Sequence, residues 1–140
     1  MVSVADSATA KLTREGLRVT SPRRLVVEAM TSAKRPFTVE DLSAALPSVG
    51  RATVFRTVRL LVEAGVLCRV VIEDGTVRYV LASSGDHHHH LVCSRCGAVQ
   101  EFADPTLDRL IAANAHQRGF ALASHAMELY GVCSTCLTGS

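Results

Sequence analysis

Apolar residues in the first 65 positions recur with helical spacing, and the period then changes to that of strands. A short helix is expected over about residues 6–16, ending near Gly16. Pro22 suits the first turn of a second helix, with Ser21 as its cap, and Leu25, Val26, Ala29 and Met30 follow as its apolar positions. After Pro36, Thr38 and Asp41 have the spacing of a capping box. Leu42, Ala45 and Leu46 form the next stripe, and Pro47 stops it. A further helix runs from Arg51 to about Ala64. Val54, Val58, Leu61 and Val62 are its buried face and Gly65 its C′ residue. The run VLCRVVIEDGTVRYVL then places two β-rich segments around Glu73-Asp74-Gly75, a short-hairpin signal.

Helices followed by a hairpin within residues 1–82 describe a winged helix-turn-helix, with the helix at 51–64 as the recognition helix. Apolar periodicity leaves Arg51, Thr53, Arg56, Thr57 and Arg59 on its outward face, and Arg14, Arg18, Arg23 and Arg24 add a basic flank. Arg can read guanine in the major groove, and Thr and Arg can hold phosphates. A merely solvated helix face has the same pattern. Later, Asp104 and Pro105 open a helix carrying Leu107, Leu110, Ile111 and Ala115. Gly119 ends it, and a strand-like FALASHAMELY follows. The expected class is α+β: an N-terminal winged helix and a smaller C-terminal α/β domain.

Composition adds limits. With 140 residues, 48% apolar and 20% charged, the chain suits one domain or two small ones and can bury a core. No apolar run approaches the length needed to cross a bilayer, so no membrane partner is expected. MVSVADSATAKL lacks a basic start followed by an apolar run, and a cytoplasmic protein is expected. The net charge of +2 conceals an asymmetry. Residues 1–82 carry 12 Lys+Arg against 8 Asp+Glu, whereas residues 83–140 carry 3 against 5. A basic front half suits nucleic acid.

All six histidines and four of the five cysteines lie in the back half. Cys93-Ser-Arg-Cys96 and Cys133-Ser-Thr-Cys136 are two C-x₂-C pairs with 36 residues between them. Four thiolates make a closed tetrahedral zinc site, and the long gap requires folded structure between the knuckles. A redox dithiol pair lacks its usual strand-to-helix setting here, and disulfides are rare in a reducing compartment. His87-His88-His89-His90 precedes the first knuckle. In an extended strand His87 and His89 face one way and His88 and His90 the other, which suits two separate metal sites. A tag remnant or a solvated polar strand is the plainer alternative.

HHHHLVCSRCGAVQEF, the later GVCSTC and the upstream RATVFRTVRLLVEAGV, in that arrangement, resemble the ferric uptake regulator superfamily, nearest to its zinc uptake regulator branch. The resemblance runs from about residue 11 to 136. It implies a homodimeric, metal-dependent transcriptional repressor that closes on a pseudo-palindromic double-stranded DNA operator when its regulatory metal is bound. Neither an enzyme nor a small-molecule substrate is implied. The implied division is a DNA-binding domain at 1–82, a hinge at 83–86 and a metal-binding dimerisation domain at 87–140.

The resemblance also implies three metal sites. Cys93, Cys96, Cys133 and Cys136 correspond to structural zinc. Cys68, His88, His90 and Glu101 correspond to the regulatory metal, with Asp86, Ser83 and Ser84 as nearby competitors for Glu101. His87, His89, Asp108 and His125 correspond to a second metal site. DNA contacts fall on Arg18, Arg23, Arg51, Thr53, Phe55, Arg56 and Arg59. The chain departs from iron-type members at Arg35-Pro36-Phe37, where a histidine is usual, and at Val80-Leu81, where a glutamate is usual. A thiolate-containing donor set is softer and favours zinc, with Fe, Mn or Ni as alternatives and peroxide as another possible signal. The plainer alternative for Cys68 is a small buried core residue. Phe55 stands where tyrosine is common, and Pro22 where glutamine is, so the operator can differ.

Overall fold

A computed structural model describes residues 3–33, 35–82 and 88–139. The expected hinge at 83–86, and His87 with it, lie outside the described residues. The chain forms two compact units, Met1–Ser84 and Gly85–Ser140. No helix among the described residues is long and apolar enough to cross a membrane.

The front unit runs α1 (Val4–Arg14), α2 (Ser21–Thr31), α3 (Val39–Ala45), α4 (Arg51–Glu63), β1 (Leu67–Val71) and β2 (Val77–Leu81). It is a winged helix-turn-helix, and the whole chain is α+β. Leu12, Val26, Val27, Met30, Val54, Val58, Leu61 and Leu67 form the centre of one apolar core. The wing pairs β1 with β2 antiparallel, Cys68 opposite Val80. Asp74 accepts bonds from the Thr76 amide and hydroxyl, and Gly75 takes a φ of 87° that closes the turn. Phe37 exchanges two backbone hydrogen bonds with Tyr79, at 3.1 and 2.8 Å, adding a short third rung to the wing.

The helix starts explain α3. The Thr38 hydroxyl accepts from the Asp41 amide at 3.0 Å, and the Asp41 carboxylate accepts from the Thr38 amide at 2.9 Å. With only seven residues, α3 gains little from propensity and depends on that cap. Thr38→Ala is therefore expected to lower unfolding stability by about 1 kcal/mol, read as a reduced urea midpoint at unchanged slope.

Three local expectations change. Thr20, not Ser21, caps α2, accepting from the Arg23 amide at 3.3 Å. Leu25 is 40% exposed, because at 100° per residue it lies on the far side of α2 from Val26, Val27 and Met30. Thr57 is buried rather than outward. It shares a face with Val54, Val58 and Leu61, and its hydroxyl is satisfied by donating to the Thr53 carbonyl at 2.7 Å.

The back unit contains β3 (His89–Cys93), β4 (Val99–Phe102), α5 (Pro105–Gln117), β5 (Glu128–Gly131) and α6 (Ser134–Thr138). Its sheet has the order β4-β3-β5, antiparallel on one side and parallel on the other. The strand expected over Phe120–Tyr130 forms only from Glu128. The Phe120 amide instead bonds back to the Ala115 carbonyl and completes the end of α5. Among the described residues of this unit, only His89, His90, Val92 and Cys93 are buried, and α5 buries none. An apolar core of that size cannot hold such a unit alone.

Candidate metal centres and nucleic-acid interface

The first knuckle follows β3 and the second follows β5. The parallel pairing of these strands sets Cys93 opposite Gly131, and the Ser94 amide bonds to the Gly131 carbonyl at 2.7 Å. The four sulfurs of Cys93, Cys96, Cys133 and Cys136 consequently fall within 4.8 Å of one another. Cys93 and Cys136 stand 3.9 Å apart, and Cys96 and Cys133 3.8 Å. Thiolates around one zinc at the usual bond length occupy corners about 3.8 Å apart, whereas disulfide sulfurs lie about 2.0 Å apart. The separations thus fit a cation and not bonded pairs. Backbone amides of Cys133 and Cys96 point at the Cys93 sulfur and hold its thiol down to about 6. The Cys136 thiol, whose S–H is held by hydrogen bonds to Cys133 and Cys96, is pushed up to about 12. Arg95, inside the first knuckle, donates to the Cys136 carbonyl at 3.1 Å and ties the two knuckles together. Spacing arguments did not single out this residue.

The second cluster lies on the β3–β4 ladder, where His90 is directly opposite Glu101. Alternation along the chain puts His88 on the same face, its ring 5.2 Å from that of His90. The Glu101 carboxylate is 3.5 Å from His88 Nε2 and 3.9 Å from His90 Nε2. His90 Nε2 is buried with no hydrogen-bond partner, as a ligand nitrogen awaiting a cation would be. Burial, then the neighbouring His88, push the His90 imidazole below its ordinary range, while Glu101 opposes them. At neutral pH the ring is therefore in the uncharged, metal-binding form.

The opposite face of β3 carries the third cluster. His89, fully buried, meets Asp108 of α5 through Nε2 at 2.7 Å. His125 Nε2 reaches the same carboxylate oxygen at 3.3 Å, and the two rings lie 5.2 Å apart. Two imidazoles and a carboxylate within 4.8 Å form an N₂O donor set. The two faces of β3 thus separate the two histidine clusters. His87, expected with the third cluster, is outside the described residues.

In the front unit Cys68 is half-buried on β1. On α4, Arg51, Phe55, Arg56 and Arg59 are exposed and Thr53 half-exposed. Phe55, 56% exposed, is a large apolar side chain with no core role. Arg23 donates to the Arg18 carbonyl at 2.5 Å and braces the turn before α2. A feature without any local signal is an ion pair 2.7 Å long between Arg51 and Glu40 of α3.

The sequence profile of the ferric uptake regulator family matches residues 14–130. The ferric uptake regulation protein of Bordetella parapertussis is 37% identical over 134 residues, covering 92% of this chain and 96% of its own. Among solved structures, a zinc uptake regulator complexed with zinc and DNA is similar with a TM-score of 0.79 at 25% identity, over 96% of this chain and 93% of that one. The Vibrio cholerae ferric uptake regulator is similar with a TM-score of 0.62 at 33% identity, over 91% and 100% of the two chains.

Proposed function

The chain belongs to the ferric uptake regulator family, and from that premise we propose that it is a zinc-sensing repressor that closes as a homodimer on a pseudo-palindromic operator. It is a metalloregulator and a DNA-binding transcription factor, of a family of regulators rather than enzymes. The observation that carries the finer reading is the His88–His90–Glu101 cluster, whose buried His90 Nε2 makes no hydrogen bond, in a chain whose α4 displays arginines.

Residues 1–82 act as the DNA-binding domain, 83–86 as the hinge and 87–140 as the dimerisation domain. Cys93, Cys96, Cys133 and Cys136 would hold a structural zinc. His88, His90 and Glu101, joined by Cys68 from the DNA-binding domain, would hold the regulatory ion. His87, His89, Asp108 and His125 would hold a second ion that ties α5 to the sheet. A bound ion there supplies Lewis-acid attraction to these donors and no reaction. Ligands drawn from both domains restrict the hinge, and the hinge angle sets the spacing of two recognition helices. Arg18, Arg23, Arg51, Thr53, Phe55, Arg56 and Arg59 form the DNA contact set.

Support for the dimer comes from what the back unit leaves uncovered. Leu110, Phe120, Leu129 and Tyr130 are all more than 40% exposed, and β5 is an edge strand. Support for zinc comes from the thiolate in the donor set. The relatives named for ferric uptake favour iron as the competing reading. Operator binding titrated at buffered free Zn, Fe(II), Mn and Ni separates them. Zinc is expected to switch binding at the lowest free concentration. Switching by iron or manganese without zinc would leave a metalloregulator but discard zinc as its signal.

A further inference from the structure

Arg51 opens α4, and Glu40 stands in the first turn of α3. The Thr38–Asp41 capping box fixes where α3 begins, and so fixes where the Glu40 carboxylate stands relative to α4. The result is a 2.7 Å ion pair across the helix-turn-helix, both side chains about two-thirds exposed. The other outward arginines differ. Arg59 reaches only Glu63 on its own helix, at 3.4 Å, and Arg56 reaches the Thr53 hydroxyl at 3.4 Å. Arg51 alone among the three is held by a carboxylate from another element. The pair is too exposed to matter much for folding, and α4 has no side-chain N-cap and no acidic residue in its first turn. Glu40 is therefore the carboxylate that occupies the arginine at the start of α4.

We propose that Glu40 is a specificity-determining residue that occupies the Arg51 guanidinium as a phosphate would, and so suppresses sequence-independent binding. This rests on the reading of α4 as the DNA-contacting helix. The magnitudes decide the direction. An exposed ion pair is worth up to about fivefold in an equilibrium constant. A single phosphate contact does little better than match it. A bidentate arginine–guanine contact discriminates by about fivefold to more than a hundredfold, and overcomes it. Glu40 therefore costs a random duplex most of what Arg51 can add, and costs the operator a smaller share.

The test uses the full metal-loaded chain, a random-sequence duplex and an operator duplex selected in vitro on the same protein. Glu40→Gln, Arg51→Ala, the double variant and Arg56→Ala are titrated across salt concentrations. Glu40→Gln is expected to tighten random-duplex binding by about threefold to fivefold, to steepen the log–log salt slope by about 0.9, and to narrow the ratio of operator to random affinity. None of these changes is expected in the Arg51→Ala background. Equal tightening in that background means that Glu40 acts as bulk charge, and it overturns the proposal, as does the absence of any tightening. Arg56→Ala distinguishes a deeper failure. If Arg56→Ala and Arg51→Ala both leave both affinities unchanged, α4 is not the DNA-contacting helix, and the inference falls with that reading.

Discussion

Cys133→Ser is expected to release one zinc per chain and to melt the C-terminal unit while the N-terminal unit stays folded. The asymmetry follows from what each unit buries. The front unit has a continuous apolar core from Leu12 through Leu67. Among its described residues the back unit buries two histidines, one valine and one of the cysteines themselves. Zinc held by four thiolates contributes about 10–16 kcal/mol apparent at neutral pH in small domains, comparable with a whole domain's stability. Losing one of four ligands removes a large part of that, and serine restores neither the charge nor the softness of the sulfur. Zinc content by atomic absorption, together with a thermal scan, checks the expectation. Full zinc content and an unchanged melting profile in Cys133→Ser would falsify the structural assignment. A chelator should reproduce the variant's behaviour. Acid should too, with a definite sign: each sulfur must be a thiolate to hold the ion, so protons compete with zinc for all four ligands. Lowering the pH strengthens that competition and favours zinc release.

How far the sequence alone reaches can be judged from particular residues. The Thr38–Asp41 box, the Asp74-Gly75 turn and the two C-x₂-C pairs are local signals, each complete within a few positions, and all are legible before any folding. Thr57 is buried although periodicity places it outward, because periodicity gives the centre of a helix's buried arc but not its width. A small hydroxyl that can bond its own helix is tolerated inside that arc. Residues Phe120 to Met127 alternate weakly and lack β-branched side chains, so the end of α5 claims Phe120 and no strand forms until Glu128. Leu107, Leu110 and Ile111 read correctly as a stripe, yet α5 buries none of its residues. Periodicity identifies an apolar face without saying whether its cover lies within the same chain. Asp108 and His125 were reachable only through resemblance, since the contact of both with His89 depends on where α5 and β5 pack. The Glu40–Arg51 pair has no sequence signal at all, because it is made by the crossing of two helices.

His90→Ala and Cys68→Ser are expected to abolish metal-dependent operator binding while leaving a folded dimer with its structural zinc. Neither substitution touches the four-cysteine cluster, and Cys68→Ser is nearly isosteric in a half-buried strand position. Cys68→Val separates the two roles that cysteine can play there. A core residue tolerates valine and keeps the metal response, whereas a ligand loses it in both variants. The expected size follows from linkage. Couplings between two ligands of one regulator commonly amount to about 1–3 kcal/mol, or fivefold to about 150-fold in affinity. Each variant should therefore bind the operator, at any buffered zinc concentration, as weakly as metal-free wild type does. Wild-type operator affinity at limiting free zinc in both variants would remove Cys68 and His90 from the sensing site. Reciprocity gives a second and independent measurement. If the metal tightens DNA binding by some factor, adding operator must tighten regulatory-metal binding by that same factor. In His90→Ala a buried ligand nitrogen that makes no hydrogen bond is gone, so operator should no longer alter zinc affinity. An operator effect on zinc binding that survives this substitution would place the coupling at His89, Asp108 and His125 instead.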